Sequence, residues 1–590
     1  MQPRKLSSAL LLALGFSGAF SAQAAVTHLT FVEVNDIHAN LVSHPDYQVG
    51  PKGAVKVKQL GGLAQTATLL NRIRGSNPNT LVFNIGDTYH GGVEATYTFG
   101  NAIVAPVNAL GIDVGVAGNW DFTYGPSVSF LRFTNLTAAE LTAAGLPVPP
   151  VTIARPAFPM LAANAIITLP GHAGESFSPP TMMKTMGDVQ VGIIGLTSDI
   201  VASMNARLVT GMSFVQGEAA YVALINQHAA SLREQGAKIV IVLSELGIHK
   251  SKRLGDVIAT GAVDYIFSGH THEAVFKPIE TTSGALAMEA GNDSYVGRMD
   301  VMVKDGVIKK SKWHMIPVKA EIEENATVKG LVDAARAPFL ADAVNMTVPN
   351  FPAQRLTQSI DTVVGSTQTT VNRRHALESN FNNAYAGMLR DFAGTQLAFG
   401  PGYRYDAIID PENDTHTDGK ITLEQLYRYF PQPFFLAKGE ASGQQIRSMY
   451  EQRLTQTFSA DVFLHSGGYY WGTSGLDAVV NLAAADGGRV QSLQFSDTGD
   501  ALAAGGTYSV AACLRPGDPA GMLCATPGFT NVMPIMNPAT SQPWTPVDMM
   551  VHTMAGGVMP SGAVRHITDS NNTAFWPEAP FVQPLEGVAP

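Results

Sequence analysis

In DVGVAGNWDFTYG, Asp113–Gly125, a short β-branched run stops at a glycine, an asparagine follows, and the chain then turns through aromatic residues. Short apolar runs bounded by turn residues read as buried strands. HLTFVEVND, TLVFNIGD, VQVGIIGL, KIVIVLSE and DYIFSGH have the same form, each ending in a polar or glycine-containing turn. Helix-like segments such as GGLAQTATLLNRIRG and GEAAYVALINQHAASLREQG separate them. From about residue 28 to 320 this alternation predicts a mixed α/β unit, a sheet core with helices on its faces. Such sheets bind ligands just beyond their strand ends, so the polar residues there carry the functional question.

The rest of the chain sets the frame. At 590 residues it exceeds what one compact core accommodates, and two domains are expected. A net charge of -10 with no basic stripe argues against a nucleic-acid partner. Arg4 and Lys5, the apolar LSSALLLALGFSGAF and Ala22-Gln23-Ala24 form a signal peptide over residues 1–24. Cleavage near Ala24 predicts a periplasmic or secreted protein, two charge units more negative. No later run is long enough to span a membrane. Cys513 and Cys524, close in sequence, are expected to form a disulfide in that oxidising setting. ATVKGLVDAARAPFLADAV reads as a connecting helix and TVPNFPAQ as a linker, placing a link at 321–354 between domains at 25–320 and 355–560. The Pro- and Asn-rich 561–590 reads as an extended tail.

Five strand ends carry metal-ligand chemistry: Asp36 and His38 in NDIH, Asp87 in GDTYHG, Asn119 in GNWDF, Glu245 in LSELG, and His270 and His272 in GHTH. A lone aspartate after a strand is usually a turn former; the full set at successive strand ends is a constellation. An aspartate after Gly86 is placed to bridge two ions about 3.5–4 Å apart, the spacing that serves in-line displacement. Mixed nitrogen and oxygen ligands suit Mn, Zn or Fe.

This set resembles the calcineurin-like metallophosphoesterases, and within them the 5'-nucleotidase family, over nearly all of the mature chain. In the second domain ALESNFNNAYAGMLR is similar to the family's Glu-Ser-Asn helix, FGPGYRYD to its Gly-Gly-x-Arg loop, DGKITLEQLYRYFP to its Gly-x-Ile-Thr segment and FLHSGGYYW to its Ser-Gly strand. The resemblance implies a four-layer metallophosphoesterase sandwich and a C-terminal α/β substrate domain. It implies two divalent ions, with manganese the leading expectation and zinc or iron the others. Asp36, His38, Asp87 and His272 would hold the first ion, and Asp87, Asn119, Glu245 and His270 the second. Arg404 would grip the substrate anion through its planar donors, and Tyr469, Tyr470 or Trp471 would face the organic portion of the substrate. Asn119, Asp121 and Arg404 are the expected catalytic residues.

Two departures stand out. Trp120 replaces the family's catalytic histidine, leaving Asp121 without its partner, and Glu245 replaces a metal-binding histidine. The SoxB branch, periplasmic sulfate thiohydrolases, also carries a Trp-acid-Phe-Thr-Tyr-Gly run, and its arginine loop is similar to PGYRYD. His90 and His249 are candidates for a displaced general acid. DTHTDGKITLEQ, Asp414–Gln425, imitates a calcium loop but closes on Gln425 instead of a bidentate Glu. The leading expectation is an exported hydrolase of nucleotides or related phosphomonoesters, using a hydroxide held by the two ions. The alternatives are a sulfate thiohydrolase acting on a cysteine-linked carrier protein, and a metal- or nucleotide-binding protein without turnover.

Overall fold

The six apolar runs all become strands, but they divide between two sheets. The computed structural model describes residues 26–49, 55–404, 407–412 and 418–572. The expected signal peptide with its cleavage site, His416 of the calcium-loop imitation and the tail beyond 572 lie outside the described residues.

The first sheet runs Val307–Pro317, Tyr295–Lys304, Val26–Asn35, Thr80–Ile85, Val114–Val116. Val26–Asn35 is antiparallel to Tyr295–Lys304 and parallel to Thr80–Ile85, with Thr30 opposite Thr80. The second runs Ile279–Glu280, Leu286–Glu289, Tyr265–Ser268, Ile239–Ser244, Val189–Leu196, Thr181–Met186. Ile239–Ser244 is buried throughout, as a strand covered on both faces must be. The sheets meet face to face through Phe31, Phe83, Ile193, Ile241 and Phe267. Phe31 stacks on Phe83 with ring centroids 5.9 Å apart, and Phe83 meets Phe267 edge-on at 5.3 Å. Helices Leu63–Ser76, Asn101–Asn108 and Ala326–Arg336 cover the outer face of the first sheet. Helices Glu218–Glu234 and Ile248–Val257 cover that of the second. The result is a four-layer α/β/β/α sandwich.

The second unit has a five-stranded sheet in the order Thr473–Ser474, Leu397–Phe399, Thr507–Leu514, Phe435–Ser442, Thr530–Pro534. Helices Asn380–Ala393, Gly443–Phe458 and Pro546–Met554 belong to the same core. Ser379 caps the first of these helices by accepting from the Asn382 amide, and Gly394 ends it in the left-handed conformation. Glu378, just before that cap, accepts from the amides of Arg565 and His566 and from Asn383 Nδ2. The Glu-Ser-Asn motif is therefore an architectural clasp.

Val93 and Tyr97 of the sandwich join the second core, and the Tyr97 and Tyr427 hydroxyls lie 2.8 Å apart. The connecting helix Ala326–Arg336 ends on a buried charge network. Arg336 reaches Glu94 at 2.7 Å and both carboxylate oxygens of Glu424 at 2.9 Å. Against the burial that would raise it, Arg336 and Arg428 hold the Glu424 carboxyl down to about 2. Two expectations are corrected. TVPNFPAQ is not a plain linker: Met346–Val348 pairs with Phe351–Leu356 because Val348, Phe351 and Leu356 bury their side chains together. The tail opens with a strand, Ile567–Asp569, parallel to Leu476–Val480.

Candidate active site

Between the two units opens a cleft of about 210 Å³, and the strand ends of both sandwich sheets form its floor. The floor is backbone-strained. Asp36, His38, Asp87, His270 and His272 all adopt positive φ, from 42° to 82°, a region costly for residues with a Cβ and concentrated at functional sites. The five residues follow the ends of three strands, Val26–Asn35, Thr80–Ile85 and Tyr265–Ser268, where left-handed turns redirect their side chains inward.

Asp36, His38 and His272 converge in one buried group, and Asp87, Glu245 and His270 in another. His38 Nε2 lies 3.0 Å from His272 Nε2 and 3.7 Å from Asp87 Oδ2, while His272 Nε2 is 3.1 Å from Asp36 Oδ1. His38 Nδ1 lies 3.3 Å from the His90 carbonyl, which selects the tautomer that leaves Nε2 as a lone pair for the cluster. Burial, then His272, pushes the His38 imidazole well below its usual range, toward the neutral form that ligates a cation. In the second group His270 Nδ1 stands 3.8 Å from Glu245 Oε1.

Three glycines make room for this chemistry. A Cβ on Gly86 would lie 2.3 Å from the Glu245 carboxylate, one on Gly269 2.6 Å from Glu245 Oε2, and one on Gly118 2.1 Å from Asp87 Oδ1. Glu245, foreign to the resembling pattern, fits because Gly86 and Gly269 leave space for its longer side chain. Burial, then Asp36, Asp87 and Asp121, pushes the Glu245 carboxyl well above the carboxylate range. Asn119 Oδ1, both Glu245 oxygens and His270 Nδ1 are buried without a hydrogen-bond partner. Buried polar atoms without partners are costly. Crowded carboxylates, neutral imidazoles and these orphaned acceptors fit a pair of divalent cations, with Asp87 between them.

Asp121 does something other than expected. Its Oδ1 accepts from the amides of Thr88 and Tyr89 at 3.0 and 2.7 Å, and its Oδ2 from Gly118 at 2.9 Å. The carboxylate is spent on tying the Asp87 loop to the Asn119 loop, and it does not line the cleft. It is a positioning residue, not a catalytic one. Burial, opposed by those amides, raises it to about 6.

Trp120 lines the cleft, stacks on His90 with centroids 4.9 Å apart, and meets Tyr403 edge-on at 5.1 Å. Its backbone amide donates to Asp87 Oδ1 at 2.8 Å. His90 lies beneath the indole, pulled down to about 3 by burial, and neither it nor His249 lines the cleft. A displaced imidazole acid at those positions does not reach the floor. Gln425 of the calcium-loop imitation caps helix Leu423–Tyr429, its Oε1 accepting from the Thr422 amide.

The opposite wall belongs to the second unit. Arg404 is buried above His270, its Nη1 3.5 Å from the His270 carbonyl, with its guanidinium 5.1 Å from the Tyr469 ring centre. Gly467, at φ 85°, presses so close that a Cβ there would lie 2.3 Å from His270 Nε2. Tyr469 and Trp471 line the cleft, whereas Tyr470 turns into the core against Tyr450. The Trp471 ring stacks on Phe399 at 4.7 Å and carries Arg453 5.2 Å from its centre. Sequence reading missed Arg453 and Arg515, which also line this wall with the Cys513–Cys524 disulfide. Neither arginine stands in a motif. Arg453 sits in an ordinary helix and Arg515 follows a strand, and only the fold brings them together.

A double-sheet sandwich with two acid–imidazole clusters at its strand ends defines a metal-dependent hydrolase of phosphoesterase type. The calcineurin-like phosphoesterase model matches residues 29–274 and the 5'-nucleotidase C-terminal domain model residues 358–513. The chain belongs to the calcineurin-like phosphoesterases that carry a 5'-nucleotidase C-terminal domain. It is 25% identical to the trifunctional nucleotide phosphoesterase YfkN of Bacillus subtilis, over 82% of this chain and 31% of that protein. Its identity to a snake venom 5'-nucleotidase of Gloydius brevicauda is also 25%, over 82% and 80% of the two chains. In fold it matches a 5'-nucleotidase precursor of Thermus thermophilus at TM-score 0.72, 19% identity, covering 93% and 100% of the chains. It matches the sulfate thiohydrolase SoxB of the same organism at TM-score 0.73, 19% identity, covering 92% and 97%. No helix among the described residues is long and apolar enough to cross a membrane.

Proposed function

We propose that the chain is an exported hydrolase of phosphomonoesters, nucleotides or related compounds, working with two divalent ions, manganese foremost. The observation that carries this is Asp87, whose carboxylate lies between two buried acid–imidazole clusters and under the cleft that Arg404 closes from the other side. Asp36, His38, Asp87 and His272 would hold one ion, and Asp87, Asn119, Glu245 and His270 the other. Bound there, two ions supply charge neutralisation and an activated water for in-line displacement.

The protein's own groups do the rest. Asp121 fixes the two loops that present Asp87 and Asn119. Arg404, its guanidinium oriented by the Tyr469 face and the His270 carbonyl, binds the ester's anionic oxygens. Trp120 excludes water from the side of the cleft where a histidine would stand, and it supplies no proton. The leaving oxygen therefore has to draw its proton from solvent or from the substrate itself, which favours esters with good leaving groups. Export rests on the charged and apolar leader of residues 1–24.

Trp120 is the observation behind a sulfate-releasing alternative. Neither the relatives nor the described residues support a carrier-protein partner for it. The test is phosphate release from 5'-AMP and from p-nitrophenyl phosphate by the purified, Mn²⁺-loaded chain, beside Asp87→Asn. Release lost in the variant is expected. No release by a chain shown to hold metal overturns the proposal.

A further inference from the structure

The second unit's wall of the cleft is cationic beyond what one phosphate needs. Among the described residues lining the cleft, Asp87 is the only carboxylate, while Arg404, Arg453 and Arg515 all face in. Arg453 donates to Gln456 Oε1 at 3.2 Å, and Arg515 donates to the Met204 carbonyl across the cleft. Guanidinium carries five donors, so both have most of their capacity left. Among the described residues neither has a carboxylate within ion-pair distance, and Arg515 Nε is buried without a partner. The Tyr403 hydroxyl is likewise buried without a partner. It lies in the field of both arginines. Burial, with Arg515 beside it, pulls the Arg453 guanidinium down to about 10. Both arginines are half-buried, and Asp518, the carboxylate on the loop of Arg515, stays beyond ion-pair distance, so two like charges side by side on this wall repel and an arriving anion relieves them.

The aromatic faces nearby are already occupied. Arg404 covers the Tyr469 ring, and Phe399 and Arg453 take the Trp471 ring. A planar base would have to displace a guanidinium to stack there. At about 210 Å³ the cleft is also smaller than the roughly 300–1,000 Å³ of ordinary ligand pockets. Arg515 follows strand Thr507–Leu514, and the Cys513–Cys524 bridge closes the loop that carries it.

We infer that Arg453, Arg515 and the Tyr403 hydroxyl form a second oxyanion subsite, so that the substrate is a small molecule with two anionic groups. One is the ester phosphate over Asp87 and Arg404, and the other a carboxylate or second phosphate at Arg453 and Arg515. This rests on the phosphoesterase reading for the placement of the first group. The subsite itself rests only on the cleft wall.

The test uses the Mn²⁺-loaded full chain and non-hydrolysable probes: ω-phosphonocarboxylates from phosphonoacetate to 6-phosphonohexanoate, each beside the alkylphosphonate of equal length. Calorimetry reads the ratio of their dissociation constants. At one chain length the wild type should prefer the doubly charged probe by about tenfold to a hundredfold, as one charge-assisted pair supplies. Arg453→Gln and Arg515→Gln should each bring that ratio toward one, Arg453→Lys should retain part of it, and Lys329→Gln on the exposed linker helix should leave it intact. A wild-type ratio near one at every length overturns the subsite without any variant having to fold. An unchanged ratio in both glutamine variants overturns it too. Because the probes are not turned over, a clear length-dependent preference sustains the subsite even if no ester is hydrolysed. Turnover of 5'-AMP with no preference sustains the phosphoesterase reading alone.

Discussion

The two walls of the cleft are built by opposite means. The sandwich wall is acidic and imidazole-rich, and its side chains leave strand ends that are adjacent in the sheets, with local left-handed turns to aim them. The opposite wall is cationic and aromatic. Its arginines come from a loop, a helix and a strand end far apart in sequence, held by ring faces and carbonyls. One wall is a motif, the other an assembly. A motif wall fails by losing one ligand, whereas an assembled wall fails by losing the alignment of the two units.

That contrast can be broken most sharply at Asp87. Asp87→Asn weakens both clusters at once, and hydrolysis should fall by about a thousandfold or more, with bound metal per chain falling in parallel by elemental analysis. Next comes the joint between the walls. Arg336→Met leaves Glu94 buried without its cation and Glu424 with Arg428 alone, and should cost about 3–5 kcal/mol in urea unfolding. The pH dependence follows the same pair. Glu424 is held at about 2, below its ordinary 4.5, so its contribution is present above pH 4.5 and is lost as pH falls from there toward 2. The wild type should lose stability through that acid window, and Arg336→Met should lose less. An equal acid slope in both proteins would contradict the network's role.

Gly467→Ala addresses the contact between walls directly. Its Cβ would meet His270 Nε2 at 2.3 Å on a backbone with φ of 85°, costing about 1–3 kcal/mol and displacing the cationic wall. A raised KM with metal content preserved is expected; wild-type kinetics would show that the walls are not tightly registered. The smallest effect belongs to Arg404→Lys. Charge survives but the planar fork and its seat on Tyr469 do not, and KM should rise about tenfold or less.

The sequence was readable where chemistry repeats with the strand rhythm. NDIH, GDTYHG, GNWDF, LSELG and GHTH each announce a strand end, and their polar residues share one floor because the sheets put those ends side by side. Glu245 could be placed there from its register alone. What could not be read was direction. Asp121 and Trp120 are consecutive, yet one turns into backbone amides and the other into the cleft, because a single 3₁₀ turn, Trp120–Phe122, separates their orientations. Tyr469 and Tyr470 divide in the same way. Arg453 carries no spacing signal, being one polar residue among many on helix Gly443–Phe458. The hairpin in TVPNFPAQ was hidden because Pro349 and Asn350 read as linker residues, although they sit at its turn.

The five strained residues on the floor have a thermodynamic meaning of their own. Their positive φ values are conformations an unfolded chain has no reason to prefer, and an ion that engages those side chains binds the folded chain alone. Such an ion is a folding ligand. At a hundredfold excess over its dissociation constant it would add about 2.7 kcal/mol to stability. The melting temperature would then report metal occupancy on any preparation, before a substrate has been found.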